Sequence, residues 1–109
     1  MNIEELREYC LEKPNSTESF PFDNETLVFK VNNKMFLLAS IESQPLQFNV
    51  KCNPEQAIEL REQYPMAVLP GYHMNKKHWN TIIINGDLSL VQLQQFIDQS
   101  YDLVAKKAK

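Results

Sequence analysis

The chain has 109 residues, 43% hydrophobic and 23% charged, with a formal net charge of −3. That length fits one domain, and the balance is ordinary for a globular protein, which excludes extended disorder. No apolar run approaches the roughly 18 residues of a membrane span, and the acidic start MNIEELREYC lacks the basic head and apolar block of a secretion signal.

These features predict a cytoplasmic single domain, 1–109, with a fraying basic tail over 105–109 and no membrane partner. Charge is unevenly spread. Residues 1–25 carry two basic and seven acidic side chains, whereas 26–52 hold Lys30, Lys34 and Lys51 against Glu42 alone. Residues 65–86 add Lys76 and Lys77 with no acidic side chain. Negative charge belongs to the first two helical segments, positive charge to the strand-like ones.

In chain order, Asn2 with Glu5 is a capping box that opens a first helix. Ile3, Leu6 and Cys10 recur at helical spacing, and Pro14 ends the helix. A short strand is expected near Glu18–Phe20. Leu27–Val31 and Met35–Ala39 flank Asn32-Asn33, a pair that tolerates the positive φ of a tight hairpin. Leu46, Phe48, Val50 and Cys52 alternate with Gln47, Asn49 and Lys51, the period of a strand with one covered and one wet face.

Asn53-Pro54-Glu55-Gln56 repeats the capping device, with proline at the first helical position. Ala57, Ile58 and Leu60 then supply a buried face, up to Pro65. Ala67–Leu69 and His78–Ile84 read as strands. Ser89 with Gln92 opens a last helix with the stripe Leu90, Leu93, Phe96, Ile97, Tyr101 or Ser100, and Val104. The order α-β-β-β-β-α-β-β-α is an α+β domain, an antiparallel sheet with helices packed on one face.

Pro70 to Thr81 concentrates unusual residues: both histidines, the one tryptophan, one of two glycines and two adjacent lysines. The run Met74-Asn75-Lys76-Lys77-His78-Trp79-Asn80-Thr81, followed by Asn85-Gly86-Asp87, resembles the signature of the MmcQ/YjbR family. Phe20-Pro21-Phe22-Asp23 and Ser100-Tyr101-Asp102-Leu103-Val104 are similar to that family's early segment and last helix. The resemblance spans nearly the whole chain. It implies a CyaY-like fold, similar to that of frataxin, and a DNA-binding role, the label the family carries from a proposed paired-wing arrangement.

Each residue also has a plain structural reading. Trp79 either anchors sheet to helix or offers a stacking platform. Lys76 and Lys77 are solvated turn charges or phosphate contacts. With Gln47, Asn49 and Lys51 facing water, Lys30 beside them and the Lys76-Lys77 turn nearby, a basic sheet face becomes the candidate nucleic-acid surface, with His78 at its edge. Tyr72, His73 and Trp79 form a possible ligand pocket. Glu4, Glu8 and Glu12 share one face of the first helix, which suits either solvent or a basic protein partner.

No enzyme motif emerges. A Gly-rich phosphate loop is nearly impossible with two glycines, and no nucleophile–base or paired-carboxylate arrangement can be argued from the order. Two histidines without a nearby carboxylate or thiolate make a poor metal site, and the frataxin iron site is not carried over. Cys10 and Cys52 have no ligand spacing and read as buried thiols. The expectation is therefore a DNA-binding module without cofactor or metal, the alternative a protein-interaction or regulatory module.

Overall fold

A computed structural model describes residues 1–71 and 74–107, and every element arises where a local signal asks for it. Helix α1, Ile3–Leu11, starts at a complete capping box. The Asn2 side chain accepts from the Glu5 N–H at 2.8 Å, and the Glu5 carboxylate accepts from the Asn2 N–H at 3.1 Å. Helix α3, Leu90–Lys107, starts the same way: the Ser89 hydroxyl accepts from the Gln92 N–H, and the Gln92 side chain accepts from the Ser89 N–H. Helix α2, Pro54–Gln63, keeps the Asn53 cap, but Gln56 does not reach back to it and accepts instead from the Gln99 amide of α3.

Six strands form one antiparallel sheet: β1 Ser16–Ser19, β2 Thr26–Val31, β3 Lys34–Ser40, β4 Gln47–Lys51, β5 Val68–Pro70 and β6 Trp79–Ile83. Their spatial order is β1-β2-β3-β4-β6-β5. The β2–β3 hairpin turns through Asn32 (φ 50°) and Asn33 (φ 67°), the left-handed pair that matches strand twist. The element order is the one read from the sequence. The edges are short: β1 is four polar residues, and β5 is three residues ending in Pro70.

The helices cover one face. Leu27, Phe29 and Val31 from β2, Phe36 and Leu37 from β3, Phe48 and Val50 from β4 and Ile82 from β6 pack there with Leu6 and Cys10 of α1 and Leu93, Ile97 and Val104 of α3. Ser100, fully buried in α3, locks helix to sheet: its hydroxyl donates to the Phe36 carbonyl and accepts from the Lys51 N–H at 2.8 Å. Tyr101 adds an edge-on contact to the Phe36 ring at 5.4 Å. Both cysteines are buried free thiols.

Two expected core positions lie outside. Ile58 of α2 is 55% exposed and Leu90 of α3 is 50% exposed. Ala57 and Leu60 carry the inward face of α2, and Leu90 stands in the first turn, ahead of the part of α3 that crosses the sheet.

Candidate functional site

Strand direction sorts the charges. In this register one end of the sheet collects the close of β2, the start of β3, the close of β4 and the start of β6, since Val31 pairs with Lys34, Leu37 with Val50, and Lys51 with Trp79. Lys30, Lys34, Lys51 and the 75–78 turn all stand there. Helix α3 runs past the same end after its Ser100 contact, carrying Lys106 beyond it. The opposite end receives Asp23 and Glu25 before β2, Glu42 after β3, Asp87 after β6 and the first turn of α1 with Glu4 and Glu5. The molecule is thus polarised along its strands, and a modest net charge conceals it.

The turn itself is built from behind. Asn75 accepts through its side chain from the Lys77 N–H at 3.0 Å, and its carbonyl accepts from the N–H groups of His78 and Trp79. Arg61, reaching from α2, donates through Nε to Asn80 Oδ1 at 2.7 Å and through Nη2 to the Lys76 and Trp79 carbonyls. The guanidinium fork ties helix, strand and turn together. Lys76 donates to the Gly71 carbonyl at 3.4 Å, closing the loop from the other side. Gly71 is there for space: a Cβ would lie 2.9 Å from the Trp79 Cβ and 3.0 Å from its carbonyl oxygen.

Lys76 and Lys77 are exposed, while Lys30, Lys51 and His78 are half-buried. The His78 carbonyl accepts from the Cys52 N–H at 2.7 Å, which ties the turn to the end of β4. All five expected contact residues thus meet at one end of the sheet. They do not form a basic sheet face. Gln47, Asn49 and Lys51 do lie opposite the helices, but their neighbours on that side are apolar: Val28, Leu38 and Trp79 form a second cluster, joined by Met35 and Met74. Trp79 is 8% exposed, so it is no open stacking platform, and it packs on the face away from the helices, so it does not anchor sheet to helix either. Its place in β6 puts it opposite Lys51, whose side chain shares that face.

Tyr72 and His73, expected in a ligand pocket with Trp79, lie outside the described residues. Among the described residues no three His, Cys, Asp or Glu side chains gather into a metal-holding group, and no helix is long and apolar enough to cross a membrane.

Sequence reasoning missed Arg61 and Lys34. Arg61 looks like any solvated charge on α2, and nothing local signals a partner some twenty residues onward. Lys34 had a signal in its position directly after the Asn32-Asn33 turn, which puts it at the same sheet end as Lys30.

The family model described as YjbR matches residues 11–103. The chain belongs to the YjbR family. The uncharacterized protein YjbR of Escherichia coli K12 is 35% identical over 102 residues, covering 93% of this chain and 85% of that protein. The uncharacterized protein YbdF of Escherichia coli O157:H7 is 36% identical over a stretch of the same length. Among solved structures, the crystal structure of Deinococcus radiodurans protein DR2400 superposes with a TM-score of 0.95 at 43% identity, covering 99% of this chain and 81% of that one. A protein from Pseudomonas syringae follows at 0.77 and 26% identity. This YjbR chain therefore shares its sheet order and helix placement with proteins spanning nearly its full length.

Proposed function

We propose that this YjbR domain is a binding module, not an enzyme, and that it holds nucleic acid by its phosphate backbone at the lysine-rich end of the sheet. One observation carries the reading: Lys30, Lys34, Lys51, Lys76 and Lys77 come from four separate segments, and the antiparallel register delivers all of them to one end. Phosphate recognition needs positive charge at the right reach and little else, and an ammonium supplies three donors from a flexible stem. The Arg61 fork and the Asn75 side chain hold the Lys76-Lys77 turn in shape before any partner arrives, which lowers the ordering cost of contact. Half-buried Lys30 and Lys51 present their ammonium groups along the sheet end rather than swinging free.

The test is a salt-resolved titration of duplex DNA. Four to five neutralised phosphates imply a log–log salt slope of about −4, at roughly −0.9 per phosphate. Lys76→Glu with Lys77→Glu should weaken binding and flatten the slope. Tight binding indifferent to salt or to that double change would sink the reading.

The acidic opposite end favours a second reading, a surface for a basic protein partner. Glu4 and Glu8 are exposed on α1. A partner lost on Glu4→Lys with Glu8→Lys, in a protein that shifts no DNA, would select it.

A further inference from the structure

A concavity of about 460 Å³ opens on the sheet face away from the helices, within the range of small-molecule sites. Its floor is Leu38 and the thioethers Met35 and Met74, and Leu38 is in the cluster that buries Trp79. Its polar groups are Gln47, Asn49 and Thr81. Phe22, 63% exposed, stands at its mouth as a ring with a free side. None of the described lining residues is ionisable. A charged group would lose its hydration there with nothing to replace it. An uncharged, flat, hydrogen-bonding ring would not: Phe22 offers a stacking surface, the thioethers offer polarisable contacts, and the amides read a polar edge. Asn49 is already oriented, because its Oδ1 accepts from the Thr81 hydroxyl, which leaves the Nδ2 donors for an occupant.

The cleft is continuous with the basic end. Asn49 and Lys51 are two residues apart on β4 and share a face, a separation of about 6.6 Å along the strand. We infer that this cleft receives a nucleobase from single-stranded nucleic acid whose phosphates lie on the lysine end. The inference rests on the backbone-binding reading above and adds the class of partner: a duplex keeps its bases stacked and paired, whereas a single strand can turn one into the cleft.

The experiment compares four probes by anisotropy and by the fluorescence of Trp79, the one tryptophan in the chain. They are a short oligothymidylate, the same strand with abasic sites, a duplex of equal length, and free thymidine. The intact strand should bind roughly tenfold more tightly than the abasic one, with a Trp79 fluorescence change. Phe22→Ala should erase that advantage while leaving abasic and duplex binding unchanged. Phe22 is mostly exposed, so its loss spares the fold, and Asn49→Leu gives a second variant with the same expected outcome.

Equal, salt-steep binding of all three polynucleotides would overturn the cleft assignment and leave the lysine end standing. No binding by any polynucleotide would overturn both. Thymidine binding with no strand binding would make the occupant a free small molecule and overturn presentation by a strand. A dimer in sedimentation that Phe22→Ala dissociates would assign the face to a second copy and overturn it too.

Discussion

The two faces of the sheet do different things with the same kind of residue. On the covered face, Phe29, Phe36 and Phe48 are fully buried beneath α1 and α3, and no charged side chain enters the cluster. On the open face, Val28, Leu38 and Trp79 make a smaller cluster with no helix above it, sheltered in part by Met74 of the 71–78 loop. One face gives the domain its stability. The other holds the loop, the cleft and the lysine end, each resting on few contacts. A binding surface can be carried on the thin side because the thick side supplies the fold.

Substitutions can break this contrast. Phe48→Ala, at the centre of the covered face, should cost about 3–5 kcal/mol, read as a drop in the urea midpoint with unchanged slope. Arg61→Ala should cost about 1–3 kcal/mol, because it strips a partner from buried Asn80 and from two carbonyls. It should also weaken DNA binding through a loosened turn, which separates it from Phe48→Ala at temperatures where both are folded. Gly71→Ala should cost about 1–3 kcal/mol by driving a methyl into Trp79, with a shift in Trp79 emission that no covered-face change produces. An unchanged emission spectrum would mean that the loop does not rest on Trp79.

Alkali tests the covered face by titration. Burial pushes the Cys10 thiol up to about 12, and burial together with Asp98 pushes the Tyr9 phenol to about 12. Below about pH 9 both groups are protonated in either state, so they contribute no pH dependence. Between about 9 and 12 the unfolded chain releases protons that the folded chain retains, so stability should fall as pH rises. Cys10→Ala should flatten that fall in a denaturation series. The smallest effect belongs to the exposed end: Lys76→Glu with Lys77→Glu should change stability by less than about 0.5 kcal/mol, whatever it does to binding.

The elements were legible because their signals are local. Asn2 with Glu5, Ser89 with Gln92, and the Asn32-Asn33 turn each act within four residues, and the alternation around Phe48 reports a face directly. What failed depended on distant neighbours. Ile58 looks buried by spacing, yet Ala57 and Leu60 already fill the inward side of α2. Trp79 looks like a sheet-to-helix anchor until the register with Lys51 turns it to the other face. The lysines were found singly. That they share an end follows from strand pairing, and the cleft beside them follows from Met35 and Leu38 turning the same way, which the β-bulge between Phe29 and Lys30 helps to set.

The short edges have a consequence of their own. A sheet whose last strands were long and apolar would offer its unpaired amides to any passing chain. Here one border is the polar Ser16–Ser19, and the other stops after three residues at Pro70, which has no N–H to give. Neither border can template more than a few bonds. A crowded solution of this protein should therefore stay free of edge-to-edge polymers, and contact with a partner is directed to the end and the open face.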